Sequence, residues 1–478
     1  MTHRNGISRR EFLKATMAAP LTAASLLGAS SYSAMGSAVI RDNILLIITD
    51  QQNINTISGT GCQYVRTPNI DKLVKKGIFF TESYCTYPVC GPSRSSIFTG
   101  RMPSETGVVE NGCRITGGMP NLGQWLRHYG GYDTVYCGKW HLPMSWQRDV
   151  EGFNVIPAGL SQGSLGDMVV SRACQTYLLN RDPNKPFFMT ASFMQPHDIC
   201  EWIRMNRTDM PPVPQVVTEE QLPPLPGNLD AVGEEPQQLK QQREHQVVSI
   251  DGYTSIDWTP KQWRCYLWNY YRMVEEVDAE IGRVLDALEN AGCLDNTAVI
   301  FTSDHGEGMG AHGMTVKGYF YEEAVKVPMV VYYPGRVAEN RRDGVSLVSG
   351  LDIFATACDI AGIDVPKGDM GMSLLSVATG KKAGHEFVVS ELGSKNKGWM
   401  LRTADFKYVV YDGDAVEQLF DIANDPLEKV NLYKDAVYAD TLKKHRELLA
   451  EFKSGLVVAP PQSELYKPWG SENHWVPV

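Results

Sequence analysis

Short apolar runs that stop on polar or charged residues constrain this chain more than any other feature. "NILLIITD" at 43–50 ends on Asp50, and "YDTVYCGKWH" at 132–141 ends on Lys139 and His141. "PFFMTASFMQPH" at 186–197 ends on His197, and "NTAVIFTSDHGE" at 296–307 carries Asp304 and His305 near its end. A fifth run is "VPMVVYYPG" at 327–335. Apolar runs of this length, without polar alternation, read as strands buried on both faces. Helical patterns lie between them. "TPNIDKLVKKG" at 67–77 has Thr67 as cap, Pro68 in the first turn and Gly77 as stop, and strong helical periodicity covers 263–292. Alternating strands and helices imply an α/β fold, a large, mixed, mostly parallel sheet sandwiched by helices. Ligands of such sheets bind beyond the carboxyl ends of the strands. Asp50, Lys139, His141, His197, Asp304 and His305 are dispersed in sequence but are expected to converge there.

The chain of 478 residues is long enough for such a domain and a smaller companion. Past residue 380 the texture changes. "EFVVSEL", "WMLRTADFKYVVYDG" and "EQLFDIANDPLEKVNL" read as short strands with turns, and "DTLKKHRELLAEFKSG" as a closing helix. The expected division is a signal region at 1–38, a catalytic α/β domain at 39–380, and a C-terminal antiparallel sheet-plus-helix subdomain with tail at 381–478. In the first region Arg9-Arg10 precede a moderately apolar stretch, about 15–28, that is too short to span a bilayer. This reads as a twin-arginine signal, so the twin-arginine export machinery is an expected partner and the location periplasmic or secreted. The acidic, Pro-rich stretch in 201–260 lacks periodicity and reads as a surface excursion next to His197, either facing substrate or merely solvated. A net charge of −10 argues against a nucleic-acid partner. The ten cysteines show no framework spacing, and most read as small buried hydrophobes.

One cysteine is different. In "CTYPVCGPSRSSIFTGR" (85–101), Cys90 stands beside Arg94 and a run of hydroxyl residues, the cation and donors that a reactive sulfur needs. Asp50, Gln51, Asp304 and His305 form an oxygen-rich set with one imidazole. Two carboxylates at adjacent strand ends repel unless a cation lies between them. Either alone could simply cap a turn; together they point to a metal. Oxygen ligands suit Ca²⁺ or Mg²⁺, and an imidazole nitrogen shifts the balance toward Mn²⁺ or Zn²⁺. Arg94, Lys139, His141, His197 and Lys317 add cations or near-cations to the same rim. A metal and several cationic donors around one nucleophile suit transfer of an anionic group.

Cys90-Gly91-Pro92-Ser93-Arg94 with Thr99-Gly100 resembles the C-x-P-S-R…T-G signature of the type I sulfatases, in the alkaline phosphatase-like superfamily. "GKWHL" (138–142), "QPH" (195–197), "TSDHGEGMGAHG" (302–313) and "VKGYFYEEAVKVP" (316–328) resemble that family's other blocks in the same order, from about residue 43 to 435. The resemblance implies a sulfuric ester hydrolase whose Cys90 is converted to formylglycine by a formylglycine-generating maturation enzyme. One hydroxyl of the hydrated aldehyde attacks sulfur, and the other later expels sulfate, so one hard step becomes two easier ones. It further implies that Asp50, Gln51, Asp304, His305 and the modified Cys90 bind the metal, usually Ca²⁺, with Mn²⁺ or Mg²⁺ as alternatives. Arg94 would hold the hydrate, and Lys139 and His141 would position it. His197 and Lys317 would grip the sulfate and protonate the leaving oxygen, with Lys139 also touching substrate. His312 lies in a matching block without a defined role. Two departures stand out: many members carry Asp where this chain has Gln51, and Asn where it has His305. Similar replacements occur in the branch with choline sulfatases and phosphonate monoester hydrolases. The expected substrate is a sulfated carbohydrate. The alternatives are a phosphonate monoester or phosphodiester hydrolase, and an unmodified, non-catalytic binder of sulfated glycans.

Overall fold

The computed structural model describes residues 41–143, 149–157, 162–206, 217–245, 257–393 and 397–460. The expected signal region, parts of the Pro-rich stretch and the tail after 460 lie outside the described residues. In chain order the strands are β1 (Asn43–Asp50), β2 (Ile78–Phe80), β3 (Ser83–Tyr84), β4 (Asp133–Gly138), β5 (Asn154–Ile156), β6 (Phe187–Pro196), β7 (Thr297–Ser303), β8 (Met329–Tyr332), β9 (Arg341–Asp343), β10 (Val348–Ser349), β11 (Val388–Leu392), β12 (Gly398–Arg402), β13 (Phe406–Tyr411) and β14 (Gln418–Asp421). The main sheet has the order β5-β4-β6-β1-β7-β8-β2-β9. Strands β5, β4, β6, β1 and β7 are parallel neighbours. β8, the fifth apolar run, is antiparallel to both β7 and β2, so the sheet is mixed but mostly parallel. β3 pairs with β10 in a separate two-stranded sheet.

All eight residues of β1 are buried, because both faces of the sheet are covered. Side chains alternate between two cores. Ile44, Leu46 and Ile48 join Ala298, Ile300, Met329 and Val331 on one face. Leu45 and Ile47 join Val299, Phe301 and Val330 on the other. The second face is covered by helices Pro68–Lys76, Gly163–Asn180 and Pro260–Asn290. The last of these offers Val277, Ile281, Val284 and Leu288 at helical spacing. Helices Cys90–Thr99 and Asp352–Ala361 cover the first face. The expected helix at 67–77 is present, and Gly77 ends it for a packing reason: a Cβ there would lie 2.4 Å from the Val331 carbonyl oxygen.

The C-terminal sheet is an antiparallel meander, β11-β12-β13-β14. One face packs Leu401, Tyr408 and Leu419 against Leu442 and Leu449 of the closing helix Ala439–Gly455. Its other face, with Met400, Val409 and Phe420, packs on Tyr319, Phe320 and Tyr321, just after Lys317. Among the described residues no helix is long and apolar enough to cross a membrane.

Candidate active site

Strand order explains why the dispersed polar residues meet. β4, β6, β1 and β7 are consecutive in the sheet, and each ends at the same edge. Asp50 closes β1, Asp304 and His305 follow β7, Lys139 and His141 follow β4, and His197 follows β6. Cys90 enters from a different element, as the first residue of the fully buried helix Cys90–Thr99. Sequence periodicity did not announce this helix, because it has no polar face to alternate with an apolar one. Its start is held by Asn111, whose Oδ1 accepts from the Gly91 N–H at 2.9 Å. Its end is Gly100, at φ 66°, where a Cβ would lie 1.9 Å from Asp369 Oδ2. The Thr-Gly of the motif is therefore a helix terminus that only glycine fits.

The Cys90 sulfur lies 3.1 Å from Lys317 Nζ, 3.2 Å from His305 Nε2 and 3.6 Å from Asp50 Oδ1. His141 and His197 also lie near enough to act on the Cys90 thiol. Asp50 Oδ2 meets Lys139 Nζ at 2.5 Å and Arg94 Nη2 at 3.2 Å. Arg94 Nε donates to Asp304 Oδ2 at 2.8 Å, and its Nη1 donates to the Lys139 carbonyl (2.9 Å) and Ser192 Oγ (2.7 Å). The guanidinium thus ties the two carboxylates together and pins the end of β4. Asp304 Oδ1 accepts the backbone N–H groups of Gln51 (3.1 Å) and His305 (2.9 Å). Gln51 itself sits at φ 69°. Its side-chain oxygen accepts from Lys317 Nζ at 2.6 Å, and its amide nitrogen donates to Glu307 at 2.5 Å.

The electrostatics follow from burial working against these neighbours. Burial alone raises the Cys90 thiol, but Lys139, Lys317 and His305 outweigh it and hold it well below the usual thiol range. Burial and the Cys90 charge push Asp50 up, yet Lys139, His197 and Lys317 hold it below the usual carboxylate range. Burial and Asp50 push Asp304 up to about 6. Burial, then Lys317 and Lys139, depress His197 to about 4, so its imidazole is neutral at pH 7. Lys317 keeps its proton: burial opposes the charge, but Cys90 and Asp50 raise its pKa.

The donor set suits a divalent metal. Ligand atoms of Asp50, Cys90, Asp304 and His305 all lie within 4.8 Å of one another, and all four residues are buried. His305 Nδ1 lies 2.9 Å from the Gly306 carbonyl, which can only accept, so Nδ1 carries a proton and Nε2 is the nitrogen that faces the cluster. The Gln51 oxygen is the remaining neutral candidate ligand.

Several residues at the site had escaped the reading of the sequence. Glu307, fully buried, accepts from the Gln51 amide, from Tyr266 Oη and from the Val316 N–H at 2.5 Å. Ser192 joins Arg94 to the Lys139 carbonyl. Ser93 Oγ donates to the Asp304 carbonyl. Glu307 stands two residues after His305, but nothing local marks it as the anchor of Gln51. His312 belongs elsewhere: its ring stacks on Tyr321 at 3.7 Å and its Nδ1 meets the Ala231 carbonyl at 2.9 Å. Within the 201–260 stretch, helices Ile199–Met205 and Gln237–His245 are ordered structure where an irregular excursion was expected. Arg243 of the second donates to the His312 carbonyl at 2.8 Å, so this part packs on the Gly-rich block.

The chain is similar to known proteins. A family model described as "Sulfatase" matches residues 42–363, and one described as "N-sulphoglucosamine sulphohydrolase, C-terminal" matches 310–455. A Delta 4,5-hexuronate-2-O-sulfatase of Bacteroides thetaiotaomicron is 30% identical over 450 residues, covering 89% of this chain and 92% of its own. The structure of a 2-O glycosaminoglycan sulfatase aligns with a TM-score of 0.76 at 28% identity, covering 90% of this chain and 97% of that one. The phosphonate monoester hydrolase of Agrobacterium radiobacter aligns with a TM-score of 0.70 at 25% identity, covering 87% and 96%.

Proposed function

The chain belongs to the sulfatase family, and from that premise we propose that it hydrolyses a sulfate ester on a sulfated carbohydrate, with Cys90, matured to formylglycine, at the nucleophilic position. One observation carries the reading. The Cys90 sulfur is held between Lys317 Nζ at 3.1 Å and His305 Nε2 at 3.2 Å, beside two buried carboxylates. A structural cysteine needs none of these neighbours. Asp50, Asp304, His305, the Gln51 oxygen and the matured Cys90 side chain would hold a divalent cation, Ca²⁺ or else Mn²⁺ or Mg²⁺. Such a cation supplies Lewis-acid charge to the sulfuryl oxygens and the nucleophile.

The chain's own residues do the rest. Lys139 and Lys317 present ammonium groups to an anionic ester in a buried site, where charge is weakly screened. His141, beside Cys90, orients the nucleophilic side chain and takes its proton. Lys317 enters with its proton on, and His197 enters neutral. The arriving sulfate adds negative charge beside His197 and raises its proton affinity, so Lys317 and His197 together can deliver a proton to the leaving oxygen. Arg94 keeps Asp50 and Asp304 at the spacing the cation needs.

The carbohydrate assignment rests on the relatives, named for a hexuronate and a glycosaminoglycan. A maturation enzyme acting on Cys90–Arg94 and twin-arginine export to the periplasm or exterior complete the proposal. A second reading, phosphonate or phosphate ester hydrolysis, draws on Gln51 and His305 and on the shared fold of the Agrobacterium hydrolase. Paired rates on a sulfate and a phosphonate aryl ester decide between the two: faster phosphonate turnover overturns the sulfatase assignment. The mass of the Cys90 peptide decides between both hydrolases and a non-catalytic binder, which would carry the intact thiol.

A further inference from the structure

Strand β13 carries one charged residue on an otherwise apolar face. Alternation puts Lys407 on the same face as Val409 and Tyr411, the face that packs on Tyr319, Phe320 and Tyr321. Directly opposite it in β12 stands Arg402, so two cations share one cross-strand pair, an arrangement that is unfavourable on its own. Both are buried, and both reach across to the segments around β3 and Lys317. Arg402 meets Tyr84 Oη at 3.0 Å and Glu82 Oε2 at 3.3 Å. Lys407 Nζ donates to the Phe320 carbonyl at 2.7 Å and to Glu322 Oε1 at 3.1 Å, and it pairs with Glu428 Oε1. Its three hydrogens thus have three acceptors. Glu428, at φ 53° in the loop after β14, takes the Glu322 N–H on its other oxygen at 2.7 Å. The C-terminal sheet and its loop therefore grip the backbone at Phe320 and again at Glu322. A second clamp lies upstream: the Val316 N–H donates to Glu307 at 2.5 Å, and the Val316 carbonyl accepts from the Gly308 N–H at 2.9 Å. Lys317 is the first residue of the short span between the two clamps, and its ammonium lies 3.1 Å from Cys90 Sγ and 2.6 Å from the Gln51 oxygen. Desolvation offsets most of what a buried ion pair gains, so stability alone does not account for a buried lysine at this point.

We propose that Lys407 is a positioning residue for the reaction at Cys90: it acts through Phe320 and Glu322 to hold Lys317 in place, so that the C-terminal sheet completes the site without touching substrate. The part played by Lys317 at the sulfate rests on the proposed function; the clamp on its span does not. The test uses the full, matured chain as wild type, Lys407→Met and the double variant Lys407→Met/Glu428→Gln. The double variant leaves Glu322 its Lys326 partner and removes the charge of the other carboxylate, so it carries the test if Lys407→Met alone does not fold. Amide hydrogen exchange is followed at Glu322, and kcat/KM is measured on a nitrophenyl sulfate and a sugar sulfate. Exchange at Glu322 should speed up about 10- to 100-fold, the worth of one hydrogen bond to a charged group, while β1 and β7 keep their protection. The kcat/KM on the sugar sulfate should fall about 10²-fold, the effect of moving a reacting group by about an ångström. The loss on nitrophenyl sulfate should be several-fold smaller, because its acidic leaving group needs little of the proton that Lys317 and His197 deliver. Unchanged exchange at Glu322, or equal losses or no loss on the two esters, would overturn the positioning role; equal losses are what a smaller folded fraction gives by itself. Failure of both variants to fold would overturn it in favour of a purely structural role. Faster exchange at Glu322 with no sulfate released by wild type from either ester would uphold the clamp and overturn the proposed function instead.

Discussion

Replacing Arg94 with methionine removes the group that joins the two carboxylates while keeping the volume of the side chain. Four acceptors each lose one donor: Asp304 Oδ2 (2.8 Å), Asp50 Oδ2 (3.2 Å), the Lys139 carbonyl (2.9 Å) and Ser192 Oγ (2.7 Å). Arg94, Asp50 and Asp304 are fully buried, so water cannot take over. Removing one partner of a buried ion pair costs about 3–5 kcal/mol. Asp50 keeps Lys139, and Asp304 keeps two backbone N–H groups, which holds the loss within that range despite two pairs being broken. Arg94→Lys keeps the charge, but one ammonium cannot reach acceptors spread across a planar fork, so its loss should be intermediate. The assay is urea unfolding of the thiol form, which separates folding from the proposed role of Arg94 in maturation. The expected order of midpoints is wild type, Arg94→Lys, Arg94→Met. Calorimetric titration with Ca²⁺ and Mn²⁺ should show weakened binding in the same order, because the carboxylates lose their fixed spacing. A methionine variant with wild-type midpoint and wild-type metal affinity would refute the argument that Arg94 organises the cluster.

Asp304→Ala should lose both bound metal and turnover, since it removes one of the two carboxylates proposed as ligands; elemental analysis beside sulfate release checks this. His197→Ala should slow a sugar sulfate by about 10²–10⁴-fold but a nitrophenyl sulfate much less, because an acidic leaving group needs little proton donation. Gly100→Ala forces a side chain into φ 66° against Asp369 and should destabilise the chain by about 1–3 kcal/mol, read by thermal unfolding. His385 Nε2 lies 2.7 Å from Asp352 Oδ1; burial lowers its pKa, but Asp352 outweighs burial and raises it. That stabilisation is fully present below the ordinary histidine value of about 6.5 and is lost as pH rises through the raised folded value. The melting-temperature advantage of wild type over His385→Gln should therefore shrink as pH climbs above about 6.5, and an advantage constant with pH would contradict the pairing.

The sequence by itself determined the central strands and the family. β1 and β7 are legible because a strand buried on both faces must be apolar throughout, and the polar residue that ends such a run is conspicuous. The C-terminal strands and their helix were legible for a related reason, since alternation and helical periodicity report one-sided burial. Cys90, Arg94 and the Gly-rich block are compact enough in sequence to be seen as motifs. What tertiary structure alone decided is who holds whom. Strand order β4-β6-β1-β7 is a long-range property, and it is this order that brings His197 beside Asp50. That Arg94 spends its donors on both carboxylates depends on distances across three elements. The anchoring of Gln51 by Glu307 and Lys317 depends on the backbone turn at φ 69° and on a loop that returns after β7. The fully buried helix at Cys90 left no periodic trace, because amphipathic signals arise only where one face meets water.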